Sequence, residues 1–179
     1  MRMMLLFTPL VLLVAQNRTT PVENEFVRVL SVVDQPVAKP GALHEHKENR
    51  VMIYLDSGVI RITYANGKTD DQHWKSGDVA WSPANGMHTS QNVSAAPVRI
   101  VEIEVRAKAS PTQPAPGKAQ PAPGKALLEN EQVRVYRAKG PVKAKNFVAV
   151  NEKTAEVLWN RVPDGPGPFI ITEIKHALI

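Results

Sequence analysis

The sequence predicts an all-β protein: a small antiparallel jelly-roll barrel followed by a short β-rich C-terminal segment. Three observations predict it. Runs rich in β-branched residues recur at strand length, turn signals separate them, and no stretch of the barrel region holds ten residues of helical period.

The elements follow in order. Residues 1–16 carry one positive charge and then about 13 mostly apolar residues, Met3 to Ala15. This reads as a secretory signal peptide and is too short to span a bilayer as a helix. The expectation is an exported chain, periplasmic or secreted, with no stable membrane span in its mature form. The barrel is expected over residues 20–106. Its strand runs are Phe26 to Val32, Val51 to Leu55, Val59 to Tyr64, Val79 to Trp81 and Val98 to Val105. Between them stand Lys39-Pro40-Gly41, Asp56-Ser57-Gly58, Ala65-Asn66-Gly67, Lys75-Ser76-Gly77-Asp78 and Ser82-Pro83. Each combines residues that favour turns, and Asn66-Gly67 between two strand patterns is a strong hairpin signal.

Residues 107–126 read as an extended proline-rich linker. Within it Gln113 to Ala119 is repeated unchanged as Gln120 to Ala126. Beyond it, Leu128-Glu129-Asn130-Glu131-Gln132-Val133-Arg134-Val135 repeats Val22-Glu23-Asn24-Glu25-Phe26-Val27-Arg28-Val29 at an offset of 106 residues. Pro168 to Ile174 likewise echoes Pro97 to Ile103. Residues 127–179 therefore read as a partial second repeat that kept its first and last strands. They are too few for an independent core and are expected to pack on the barrel, to extend its sheet, or to pair across a homodimer.

Composition narrows the function classes. Cysteine is absent, which excludes disulfides, thiolate ligands and cysteine nucleophiles. Residues 1–106 hold 11 Lys+Arg and 11 Asp+Glu, whereas residues 107–179 hold 11 and 6, so the chain's net charge of +5 belongs to the linker and the C-terminal segment. Those lysines are scattered and lack stacking aromatics, so a nucleic-acid partner is not expected. A small-molecule ligand or substrate is.

The chemistry concentrates in three of the five histidines. His44 and His46 are two apart, so in an extended stretch both imidazoles leave the same face of the sheet. His88 on a neighbouring strand supplies a third nitrogen. Three convergent neutral imidazoles with open positions describe a working metal site, for Fe, Mn, Ni or Zn.

The punctuation around these residues resembles the cupin superfamily. Gly41, His44, His46 and Gly58 stand as pieces of that family's first motif, and Gly77, Pro83, His88 and Asn92 as its second, with about 18 residues between the two. The resemblance covers roughly residues 22–106. It implies a jelly-roll barrel and one divalent ion held by His44, His46 and His88. The family also has a glutamate ligand, and counting back from Gly58 its position is Val51, which cannot ligate. The resemblance thus leaves three alternatives: a three-histidine centre, a site that recruits another acid, or a metal-free barrel. Glu48 shares the parity of His44 and His46 and is the candidate replacement, against its reading as a charge in the polar turn Lys47-Glu48-Asn49-Arg50.

Other side chains carry less. His73 falls in a polar stretch and is expected exposed; His176 has no evident partner. Tyr54, Tyr64 and Trp81 read as core aromatics that also suit a pocket wall. Glu102 and Glu104 alternate with Val101, Ile103 and Val105, as one wet and one dry face, with an inward general base as the alternative. The functional expectation is an exported mononuclear divalent-metal cupin acting on a small oxygen-bearing molecule by oxygenase, isomerase or lyase chemistry. The alternative is a non-catalytic, metal-free ligand-binding or sensing module. Catalytic groups beyond the metal ligands are not identifiable from the sequence.

Overall fold

The computed structural model describes residues 17–106 and 125–175. The predicted leader, most of the linker and His176 lie outside these. Among the described residues every regular element is a strand, and no helix is long and apolar enough to cross a membrane.

The strands run β1 (Asn17–Glu23), β2 (Val27–Asp34), β3 (His44–His46), β4 (Asn49–Tyr54), β5 (Gly58–Tyr64), β6 (Thr69–Trp74), β7 (Asp78–Ser82), β8 (Asn85–Asn92), β9 (Val98–Val105), β10 (Ala126–Glu129), β11 (Val133–Ala138), β12 (Phe147–Asn151), β13 (Val157–Trp159) and β14 (Phe169–Ile174). Three antiparallel sheets result. The order β1-β2-β9-β4-β7 forms the first wall of the barrel, β3-β8-β5-β6 the second, and β10-β11-β14-β12-β13 a separate C-terminal sheet.

The five predicted runs fall on β2, β4, β5, β7 and β9, and the Asn66-Gly67 turn joins β5 to β6. Gly67 takes a φ of 82°, the left-handed conformation this turn demands. Three barrel strands had no apolar signature to reveal them. β6 is Thr-Asp-Asp-Gln-His-Trp, a polar edge strand that puts His73 in solvent. β1 is an exposed edge strand from Asn17. β8 carries one of the histidines amid polar neighbours. β1 and β6 are each held by ladder hydrogen bonds to one neighbour, whereas β8 is paired on both sides and buries His88 and Asn92.

The first wall is buried on both faces, and side-chain parity sorts its residues. Val27, Val29, Val51, Ile53, Val101, Ile103 and Val105 join Val133, Val135, Val148, Val150 and Ile170 of the C-terminal sheet in one apolar core. Leu30, Val32, Tyr54, Val98 and Ile100 turn the other way and pack with Ile60 of the second wall inside the barrel. The first wall is thus the middle of three layers.

Two expectations are corrected here. The C-terminal segment neither extends the barrel sheet nor stops at two strands: it forms five strands and lies face to face on the first wall. Its middle strands are short, and β12 is buried throughout, so neither showed a clean alternation. Glu102 and Glu104 do not line a wet face. Both are buried, at 6% and 7% exposure, on the barrel side of β9. Glu104 takes a two-pronged hydrogen bond from Arg28 Nε and Nη2 at 2.6 and 3.0 Å, and Glu102 belongs to the site described next.

Candidate metal centre

Pairing of β3 with β8 sets His44 directly opposite His88. His46 lies two residues along the same face, although the register shifts between the two. The three rings converge, with centroids 4.9 Å apart for His44 and His46, 4.7 Å for His44 and His88, and 5.2 Å for His46 and His88. One ring nitrogen from each lies within 4.8 Å of the others. Two metal–nitrogen bonds of about 2.1 Å span at most about 4.2 Å, so small side-chain rotations suffice to close the set on one ion.

Two tautomers are fixed by their partners. His44 Nδ1 donates to the Ala42 carbonyl at 2.8 Å and His88 Nδ1 to the Gly86 carbonyl at 3.1 Å. A carbonyl only accepts, so each Nδ1 carries the proton and each Nε2 keeps its lone pair for a ligand. Burial lowers the pKa of His88, and burial with the neighbouring Arg50 guanidinium holds that of His46 down to about 3. Neutral imidazole is the form a transition ion needs.

The remaining motif residues shape the scaffold. Asn92 is fully buried; its amide donates to the carbonyls of Asp34 and Ala96, and its oxygen accepts from Ser94 N. A Cβ on Gly58 would stand 2.5 Å from Val98 Cγ2 and 2.7 Å from Ser94 Oγ, so only glycine fits there. Gly41 N donates to the Ser90 carbonyl at 2.9 Å, tying the approach to β3 onto β8.

Val51 is not the inward position. Its side chain is fully buried between the first wall and the C-terminal sheet. The residue of β4 that faces the histidines is Arg50, one place earlier and of the same parity as His44 and His46. Counting forward from the histidines reaches it, whereas counting back from Gly58 does not. Its guanidinium is buried and engages three partners: Nη1 meets His46 Nε2 at 2.9 Å and Glu102 Oε2 at 3.0 Å, and Nη2 donates to Ser82 Oγ at 2.8 Å. Arg50 Nε is buried without a partner among the described residues. Arg18 of β1 reaches the other Glu102 oxygen at 3.6 Å. Glu48 is exposed on the loop after β3 and lines a second cleft together with His44, His46, Glu45, Lys47 and Glu104; the convergent set contains the histidines alone.

A cavity of about 270 Å³ opens beside this cluster. One end is polar, with the three histidines, Arg50, Ser82 and Glu102; the other is apolar, with Met52, Tyr54, Ile60, Ile62, Trp74 and Ile100. Tyr54 and Trp74 stack with ring centroids 3.9 Å apart and planes 10° from parallel, and Tyr64 also lines the space. Trp81 both packs against the inter-sheet core and lines the cavity. Sequence reasoning missed Arg50, the role of Glu102, and the pairing of Tyr54 with Trp74, because each depends on which wall a strand faces.

No family model matches the sequence, and no curated protein does. Solved structures are similar in fold. A cupin domain from Bordetella pertussis Tohama I is 23% identical and superposes with a TM-score of 0.47, covering 51% of this chain and 94% of that one. An RmlC-like cupin family protein with a double-stranded β-helix fold from Methanocaldococcus jannaschii is 15% identical, with a TM-score of 0.42 over 51% of this chain and 80% of the other. A conserved protein with a double-stranded β-helix domain from Klebsiella pneumoniae subsp. pneumoniae is 20% identical, with a TM-score of 0.43 over 52% and 79%. These likenesses say nothing of ligand or activity.

Proposed function

We propose that this barrel is of the cupin kind, that it binds one divalent transition ion at His44, His46 and His88, and that it acts there on a small oxygen-bearing molecule. The observation that carries this reading is the convergence of three imidazole nitrogens within 4.8 Å at the polar end of a cavity. A divalent ion so held supplies Lewis acidity toward an oxygen ligand, in support of oxygenase, isomerase or lyase chemistry. The chain's own residues divide the remaining tasks. His44 and His88 are oriented by backbone carbonyls, the Tyr54–Trp74 stack shapes the apolar end, and Arg50 with Glu102 forms the charged wall. Burial raises the pKa of the Tyr54 hydroxyl, so it stays protonated.

Elemental analysis of protein stripped by mild chelation and reloaded with manganese, iron, nickel or zinc tests the proposal. About one ion per chain is expected in the native protein and none in His44→Ala or His88→Ala; failure to load any of the four returns the barrel to the metal-free reading. One observation favours the second reading, a binding or sensing module without turnover: the Glu102 carboxylate is already engaged by Arg50 and Arg18. Turnover of no candidate by loaded protein that nonetheless binds ligand would favour it. We also propose that the chain is exported and loses residues 1–16; mass measurement of the mature protein from a periplasmic or culture fraction checks this.

A further inference from the structure

We propose that the ligand of this cavity is a small carboxylic acid with an apolar body, received through its carboxylate by Arg50. The inference rests on the metal reading for its fullest form, and it names the substrate class of the same site.

The histidines contribute no negative charge, and the β4 position that faces them carries a guanidinium. Arg50 and Arg18 face the carboxylate of Glu102, and the carboxylate of Asp34 also lines the cavity, so the lining is formally neutral before any cation binds. A divalent ion held by three neutral imidazoles leaves it net positive. Burial of that excess is costly unless an anion compensates it. A carboxylate matches the guanidinium in shape as well as charge, since its two oxygens fit the forked donors.

The donor count points the same way. Buried Nε of Arg50 has no acceptor among the described residues, and neither does Nε1 of Trp74, on the cavity wall. Two buried donors without acceptors on the lining of one cavity describe a site for an acceptor-rich ligand.

Arg50 and metal also share a lone pair. A neutral imidazole has one. When His46 Nε2 accepts from Arg50 Nη1, Nδ1 carries the proton and His46 has nothing left for an ion. His46 therefore serves the guanidinium or a metal, never both. Ligation by His46 frees one Nη1 hydrogen, and a carboxylate that holds Arg50 away from His46 leaves the imidazole free to ligate. The two occupants help each other, by the same factor in each direction. The apolar end, with Tyr54 and Trp74 stacked, sets the rest of the ligand: a compact hydrocarbon or aromatic body, within about 270 Å³.

The test titrates full-length protein, zinc-loaded and chelator-stripped, with benzoate, phenylacetate and 3-methylbutanoate, each beside its uncharged amide, by calorimetry and by tryptophan fluorescence. At least one acid is expected to bind tenfold or more tighter than its amide, and zinc affinity is expected to rise in its presence. Arg50→Gln should abolish the preference. Because that change strands Glu102, the paired variant Arg50→Gln/Glu102→Gln is measured beside it; it should load zinc and bind acid and amide equally. Equal binding of every acid and amide by native protein overturns the inference, as does an acid preference that survives in the paired variant. Native protein that takes up no zinc yet shows an Arg50-dependent acid preference sustains the inference while removing the metal reading. Protein that takes up zinc with no such preference does the reverse.

Discussion

The barrel and the C-terminal sheet are two copies of one five-stranded design, and among the described residues only the first carries the histidine cluster. Strand order β1-β2-β9-β4-β7 in the first is matched by β10-β11-β14-β12-β13 in the second. The repeated sequence makes the same turn twice. Asn24 Oδ1 accepts from Phe26 N and Val27 N at 2.8 and 3.0 Å, and Asn130 Oδ1 accepts from Gln132 N and Val133 N at the same distances. Each hairpin is then clamped from the end of the last strand, by Arg106 on Glu23 in one copy and by Lys175 on Glu129 in the other. What the second copy lacks is the wall β3-β8-β5-β6, which holds all three converging histidines. Its outward face is instead closed over Tyr136, Phe147, Phe169 and Ile171 by Val142, Ala144 and Val162. The five-stranded sheet is the packing unit; the four-stranded wall makes a cavity of it.

That contrast breaks first at the shared core. Deleting residues 125–179 exposes the face of Val51, Ile53, Val101 and Ile103, and the remaining barrel is expected to aggregate, read as loss of soluble, monodisperse protein on size exclusion. Val51→Glu tests the same face within the full chain. It places an unpaired carboxylate between the sheets and should cost about 3–5 kcal/mol in denaturant unfolding; a tightening of manganese binding without loss of stability would put position 51 back in the site.

The next effect separates the copies by function. His88→Ala should remove metal binding with the fold intact by circular dichroism, and His73→Ala, on the exposed edge strand β6, should change neither. Acid sharpens the same point. In metal-free protein His46 titrates at about 3 against about 6.5 in an unfolded chain. The unfolded state therefore binds the extra proton first, and stability is full above pH 6.5 and falls as pH drops from there toward 3. His46→Asn should flatten that part of the stability–pH curve.

Smaller effects probe the repeated turns. Asn24→Ala and Asn130→Ala each remove two backbone acceptor contacts and should each cost about 1 kcal/mol, nearly alike, by urea unfolding; a large inequality would show that the two hairpins are not equivalent. Asp71→Asn cuts the exposed Arg61–Asp71 pair and should leave the urea midpoint unchanged within error, since solvent and salt screen such a pair.

Residue order alone was enough to read the all-β class, the runs that became β2, β4, β5, β7 and β9, the hairpin at Asn66-Gly67, and the convergence of His44, His46 and His88. These are local facts: period-two alternation, a left-handed turn residue, and two imidazoles two apart in an extended segment. The repeat Val22 to Val29 also announced a second copy, though not that its middle strands survive. Which wall each face meets depends on how the sheets stack, and no local pattern carries that. Val51 and Arg50 are neighbours in sequence, yet one is sealed against the C-terminal sheet and the other stands beside His46. Glu102 and Glu104 read as solvated because alternation marks two faces without saying what covers them. With a sheet stacked on one side of the first wall and a barrel closed on the other, both faces are interior, and the polar one becomes the charged wall of the cavity.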